Sequence, residues 1–148
     1  MIVAITGGRD VRPTAIEIDA LVEWLAGHDA TILRHGDARG LDRTVAGLLE
    51  QRLPDLDVRA WPAAWGALGR SAGPRRNRAM LTGDLRSDSV AWHHPREVHG
   101  TIAARLVAWP GGAGTADCIK AARQIGIEVV SIADLVADYL AGQREAAR

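Results

Sequence analysis

The sequence predicts a single α/β domain with a doubly wound, mainly parallel sheet of about five strands and helices on its flanks, an architecture of the Rossmann-like kind. Three observations predict it. Short β-branched, apolar runs alternate with stretches of helical periodicity along almost the whole chain, the pattern of successive strand and helix units. Glycine- or arginine-rich loops follow four of those runs, and in a parallel sheet such loops gather at one edge, beyond the carboxyl ends of the strands. A chain of 148 residues with 47% hydrophobic content suffices for one sizeable core and not for two ordinary domains, so residues 1–148 read as one unit.

The first strand is Ile2-Val-Ala-Ile-Thr6, apolar enough to be buried on both faces. Gly7-Gly8-Arg9-Asp10 follows it directly. The glycines would admit a ligand to the backbone, Arg9 could hold a phosphate or carboxylate and Asp10 could accept from a hydroxyl; the alternative is a turn with a surface ion pair. Pro13 and the capping-box spacing of Thr14 and Glu17 place a helix start nearby, with Ile18, Leu21, Val22 and Leu25 as its buried stripe and Gly27 as its stop; Trp24 at the margin reads as packing. Residues 31–35 form the second strand, and Gly36-Asp-Ala-Arg39-Gly40 is the loop after it. Leu41, Val45, Leu48, Leu49 and Arg52 recur at helical spacing, which puts Asp42 in a first turn, where a carboxylate is either site chemistry or ordinary helix electrostatics. His35 is read as a base or as a satisfied strand-end histidine.

Residues 57–61 resemble a third strand. The stretch 62–74, with its glycines, prolines and Trp65, is too broken for a regular element and reads as a lid or base-binding loop. Pro74-Arg75-Arg76-Asn77-Arg78 opens the next helix, with Met80 and Leu81 buried. Its arginines are either solvated charge or a phosphate clamp, with Asn77 offering a donor and an acceptor to a base or ribose. Residues 83–101 fit no regular element and are expected to form an inserted loop or hairpin. His93, His94, Glu97 and His99 invite a zinc reading, but their spacing matches no closed site and no cysteine assists, so no metal is expected.

A short apolar run at 105–109 then meets Pro110-Gly-Gly-Ala-Gly-Thr-Ala-Asp117, which reads as strand, phosphate loop and helix. Gly111, Gly112 and Gly114 lack the Cβ atoms that would hold a ligand off the backbone, and Thr115 supplies a hydroxyl where helix-start N–H groups lack partners. An anion suits such a place; the alternative is a plain turn. Ile119, Ala122, Arg123 and Ile125 continue that helix to Gly126. Residues 128–132 make the fifth strand, and Leu135, Val136, Tyr139 and Leu140 stripe a last helix that is expected to fray after Gly142.

Eighteen basic and eighteen acidic residues cancel, so no global field draws the chain to nucleic acid or an anionic membrane. The single Cys118 has no partner for an intramolecular disulfide, no signal peptide is visible, and no apolar stretch reaches the roughly 20 residues of a membrane span. A cytoplasmic location is the expectation.

Four motifs stand in series: Gly7-Gly-Arg-Asp10, His35-Gly-Asp-Ala-Arg-Gly-Leu-Asp42, Ala72-Gly-Pro-Arg-Arg-Asn77 with Met80, and Pro110-Gly-Gly-Ala-Gly-Thr-Ala-Asp117. Their order and spacing resemble the YspA-type branch of the SLOG superfamily over nearly the whole chain apart from 83–101. The resemblance implies a Rossmann-like domain of bacteria or phages that binds a nucleotide or nucleotide-derived ligand as a sensor, requires no cofactor and self-associates into homo-oligomers. On it, the ligand-binding set is Gly7, Gly8, Arg9, Asp10, Gly36, Arg39, Asp42, Arg76, Asn77, Gly111, Gly112, Gly114 and Thr115.

Two related branches supply the rivals. LOG phosphoribohydrolases cleave the N-glycosidic bond of cytokinin ribotides, and for a comparable reaction on a nucleoside monophosphate the catalytic candidates here are Asp42, Asp117 and Arg76, with Asp10, Asp42 or Asp117 stabilising positive charge or activating water. The LOG motif continues to a catalytic glutamate at the position of Cys118, and Asp117, about 100° away around the helix, is expected to point elsewhere. Relatives also tend to carry a basic residue at the position of Ala79, for which Arg78 could compensate. The DNA-processing protein A family binds single-stranded DNA, a role that Arg75, Arg76 and Arg78 with Trp61 and Trp65 as stacking platforms would serve and that net neutrality disfavours.

Overall fold

The computed structural model describes residues 1–84 and 100–148. Five strands, β1 (Ile2–Thr6), β2 (Ile32–His35), β3 (Asp57–Ala60), β4 (Arg105–Ala108) and β5 (Glu128–Ser131), form one parallel sheet in the order β3-β2-β1-β4-β5. The helices are α1 (Ala15–Gly27), α2 (Leu41–Arg52), the single-turn α3 (Trp65–Leu68), α4 (Ala72–Thr82), α5 (Ala113–Ile125) and α6 (Ile132–Ala146). The architecture is therefore the doubly wound α/β fold expected.

Alternation along the strands sorts the core into two layers. Val3, Ile5, Leu33 and Val107 pack with Leu21 and Leu25 of α1, Val45 and Leu49 of α2, and Leu135 of α6. Ala4 and Leu106 pack with Met80 and Leu81 of α4 and Cys118, Ala121 and Ala122 of α5. Each fully buried leucine in these layers contributes about 1.5–3 kcal/mol. Because the chain runs from β1 outward to β3 and then crosses to β4, the loops after β1 and β4 diverge to opposite faces, which opens a crevice at the carboxyl edge.

Local chemistry sets the element ends. Thr14 and Glu17 make the expected capping box on α1: the Glu17 N–H donates to Thr14 Oγ1 at 3.3 Å and the Thr14 N–H to Glu17 Oε1 at 2.8 Å. Gly126, at φ +92°, ends α5 in the left-handed conformation that glycine adopts without strain. Trp24 packs against the core and lies 4.4 Å from the His28 ring.

Four expectations are corrected. Leu48 faces out at 36% exposure, and Arg52 is exposed with an ion pair to Asp19 at 3.0 Å, so the buried stripe of α2 runs through Leu41, Val45, Ala46 and Leu49. The stretch 62–74 holds a helical turn, a 3₁₀ turn at Gly69–Ser71 and the first residues of α4, which starts at Ala72. Pro74 is tolerated there because first-turn N–H groups have no intrahelical acceptor to lose. The last helix runs through Gly142 to Ala146. The expectations for 83–101, including His93, His94, Glu97 and His99, fall almost wholly on 85–99, outside the described residues.

Candidate functional site

The crevice is a cleft of about 1150 Å³, somewhat larger than the roughly 300–1,000 Å³ usual for small-molecule sites. All thirteen residues of the expected binding set line it, together with Asp117. The topology thus gathers four loops that are up to about a hundred residues apart in sequence.

Helix α5 opens one wall. It starts after Gly112 with no side chain capping it and no acidic residue in its first turn. A Cβ at Gly112 or Gly114 would meet nothing within 4 Å, so both positions border open space. Gly111 has a different role: a Cβ there would overlap Thr115 Oγ1 and crowd the Gly8 N–H at 2.8 Å, so this glycine lets the β1 and β4 loops touch. The Gly8 N–H donates to the Pro110 carbonyl at 3.0 Å and fixes that approach. Thr115 is buried beneath Gly111, so its hydroxyl serves packing of the loop as much as any ligand.

The loop after β2 forms the facing wall. Gly40, at φ +85°, lies so close to the Arg9 carbonyl that any side chain would collide with it, which locks this loop to the first. Asp42 folds back from α2, and its Oδ2 accepts from the Gly36 N–H at 3.0 Å and the Ala38 N–H at 3.3 Å. Its Oδ1 is buried and has no hydrogen-bond partner among the described residues. Burial pushes the Asp42 carboxyl up to about 6, against the lowering influence of the Ala38 and Gly36 N–H groups and of Arg76. His35 is the satisfied strand-end histidine: it is buried, and its Nδ1 accepts the Asp37 N–H at 3.1 Å, which leaves the proton of a neutral ring on Nε2.

Arg76 ties the walls together from α4. Its Nη1 donates to the carbonyls of Gly36 and, at 3.2 Å, Trp61, and its Nε donates to Asn77 Oδ1 at 3.0 Å. Burial lowers the Arg76 pKa, and Asp42 raises it in return. Of the three arginines of this helix only Arg76 lines the cleft. Arg75 and Arg78 are exposed, and Arg78 donates to Gln124 Oε1 at 2.8 Å, so it does not stand in for a basic residue at position 79.

Asn77 is engaged by the protein. Its Nδ2 donates to the Gly114 carbonyl at 3.3 Å and to Asp117 Oδ2 at 3.0 Å, which leaves it a role in docking α4 onto the start of α5. Asp117, expected to point away, lines the cleft. Cys118 is the residue turned away: it is fully buried among Ala4, Met80 and Leu81, with the Thr6 hydroxyl as hydrogen-bond partner and a thiol pushed up to about 12 by burial. Trp61 is likewise fully buried, under the Arg34 guanidinium, so the expected pair of stacking platforms reduces to Trp65, which is 50% exposed at the cleft rim.

Five arginines face the cleft, at 9, 39, 43, 70 and 76, against aspartates at 10, 37, 42 and 117. Arg43 is paired with Asp37 at 3.1 Å. Arg9, Arg39 and Arg70 have no carboxylate within salt-bridge distance among the described residues. Arg43 and Arg70 join the expected set; the place of Arg70 between Gly69 and Gly73, inside the loop expected to cover a ligand, is a signal in the sequence, and Arg43 has none. The chain as a whole is neutral, so this is a local concentration of unpaired cationic charge around an uncapped helix start, with two carboxylates, Asp42 and Asp117, on the walls.

Among the described residues no helix is long and apolar enough to cross a membrane, and no group of three His, Cys, Asp or Glu could hold a metal ion. Comparison with family models, curated proteins and solved structures gives no match to this chain.

Proposed function

We propose that this chain binds a phosphate-bearing nucleotide or nucleotide-derived small molecule in the cleft, as a sensor domain of the SLOG kind. The observation that carries the reading is the start of α5, where an uncapped helix end without first-turn acid meets open space at Gly112 and Gly114. Its free N–H groups and the positive end of the helix dipole suit a phosphate. Arg9, Arg39 and Arg70 around the same space supply charge and bidentate donors, and Arg76, whose Nε and Nη1 are held by the protein, adds charge. The volume admits a ligand of nucleotide size, and the four motifs that resemble SLOG domains are those that line it.

Calorimetric titration with nucleoside mono-, di- and triphosphates and the matching nucleosides tests this. Nucleotides should bind at least about tenfold more tightly than their nucleosides, a difference of about 1.4 kcal/mol. Equal affinities would remove the phosphate from the proposal.

One observation favours hydrolysis of a nucleoside monophosphate as a second reading. Asp42, with a carboxyl pushed up to about 6, can hold or release a proton near neutrality, and Asp117 lines the same cleft. Release of free base over many turnovers, abolished in Asp42→Asn or Asp117→Asn, would establish an enzyme. Burial of Cys118 weighs against the LOG arrangement of that chemistry, since position 118 presents its side chain to the core.

A further inference from the structure

Trp65 is the most exposed aromatic side chain among the described residues that line the cleft. An indole half open to water costs free energy unless something covers it, and the surrounding structure holds this one in place rather than burying it. It sits on the single turn α3, and Gly73 at the start of α4 makes room for it: a Cβ at that position would be 3.1 Å from the ring atom Cη2. The ring is thus seated by one edge on the helix that carries Arg76.

Across from the ring lies Arg9, whose guanidinium carbon is 6.0 Å from the ring centroid. That separation is too wide for direct stacking, since carbon atoms in contact lie about 3.5–4.0 Å apart. It is close to the roughly 7 Å that two such contacts require when one flat ring lies between. Arg9 is exposed, has no hydrogen bond or ion pair from its side chain among the described residues, and can shift by the remaining ångström. Indole and guanidinium planes are both surfaces on which nucleobases stack.

We infer that Trp65 and Arg9 form the base subsite of the cleft, a clamp that takes a planar heterocycle between indole and guanidinium while the start of α5 holds the phosphate. This rests on the nucleotide reading above and adds where and how the base is held. Selection by the clamp is for a flat aromatic ring and not for one base edge, because neither partner offers a fixed donor and acceptor pattern. Different bases on the same phosphate chain should therefore bind with similar affinity.

The test uses the full chain and two probes, a nucleoside diphosphate and inorganic pyrophosphate, against wild type, Trp65→Ala and Trp65→Phe. The clamp predicts that Trp65→Ala weakens the nucleotide by about tenfold or more, that Trp65→Phe keeps most of the affinity, and that pyrophosphate binds all three alike. Circular dichroism checks each fold, and unchanged pyrophosphate affinity is a second check that the cleft is intact. Wild-type nucleotide affinity in Trp65→Ala would overturn the clamp and leave the nucleotide reading standing. Equal loss of nucleotide and pyrophosphate would also overturn it, because Trp65 would then shape the whole cleft. If wild type binds neither probe, the nucleotide reading fails and the clamp with it.

Discussion

Helices α5 and α6 leave adjacent parallel strands, and they treat their first N–H groups in opposite ways. At α6, Ser131 Oγ accepts from the Asp134 N–H at 3.1 Å, and Asp134 places a carboxylate in the first turn. At α5 there is a glycine where the cap would be and no acid. α1 agrees with α6, with its capping box of Thr14 and Glu17. The self-satisfied ends lie outside the cleft, and the unsatisfied end opens into it. A capped end contributes about 1 kcal/mol to stability, so an uncapped one at the cleft forgoes stability where an incoming anion could restore it.

Helix α2 stands between these cases, and Asp42 is the reason. It has no cap, but its own first-turn carboxylate reaches back to the N–H groups of Gly36 and Ala38. Folding raises the Asp42 pKa from 3.8 to about 6, so it favours the protonated form. Stability from this group is complete below the unfolded value and is lost as pH rises through about 6. Between about pH 4 and about pH 7.5 the wild type should lose about 2 kcal/mol more than Asp42→Asn. Denaturant unfolding of both proteins across that range measures it, and parallel curves would show that α2 behaves like the capped helices.

The arginines of α4 sharpen the contrast at a smaller scale. Arg76→Ala should weaken nucleotide binding by about 1.5–3 kcal/mol, the range for a hydrogen bond to a charged group. Arg78→Ala, which removes only an exposed contact to Gln124, should change affinity by less than about 0.5 kcal/mol. Equal losses in the two variants would mean that general positive charge, and not the cleft, attracts the ligand.

The strands and the start of α1 were legible in the sequence because their signals are local. An unbroken apolar, β-branched run marks 2–6, and the spacing of Thr14 and Glu17 by itself specifies a capping box. The gathering of the four motifs at one edge was legible too, since it follows from parallel strand order. What a side chain does within that edge was not. Trp61 and Trp65 are four residues apart and of the same type, yet one directly follows β3 and is buried while the other sits on a turn at the rim. Asn77 looked like a ligand-reading amide, and only the proximity of α5 shows that Gly114 and Asp117 engage it. The positions of Asp117 and Cys118 were reversed for a related reason. A rotation of about 100° separates them, but which of them faces the cleft depends on how α5 rolls against α4 and the sheet.

The measurement that tests the account most directly gives α5 the end that α6 already has. Gly112→Asp places the preferred cap and a carboxylate at the start of α5, in a position where a Cβ meets nothing within 4 Å. Unfolding free energy and nucleotide affinity are then read on the same preparation. The account predicts opposite signs: stability rises by about 0.5–1 kcal/mol as the helix end is satisfied, and nucleotide affinity falls at least about a hundredfold, or about 2.7 kcal/mol, as the carboxylate occupies the anion's place. A variant that gains the stability and still binds nucleotide as tightly as wild type would contradict it.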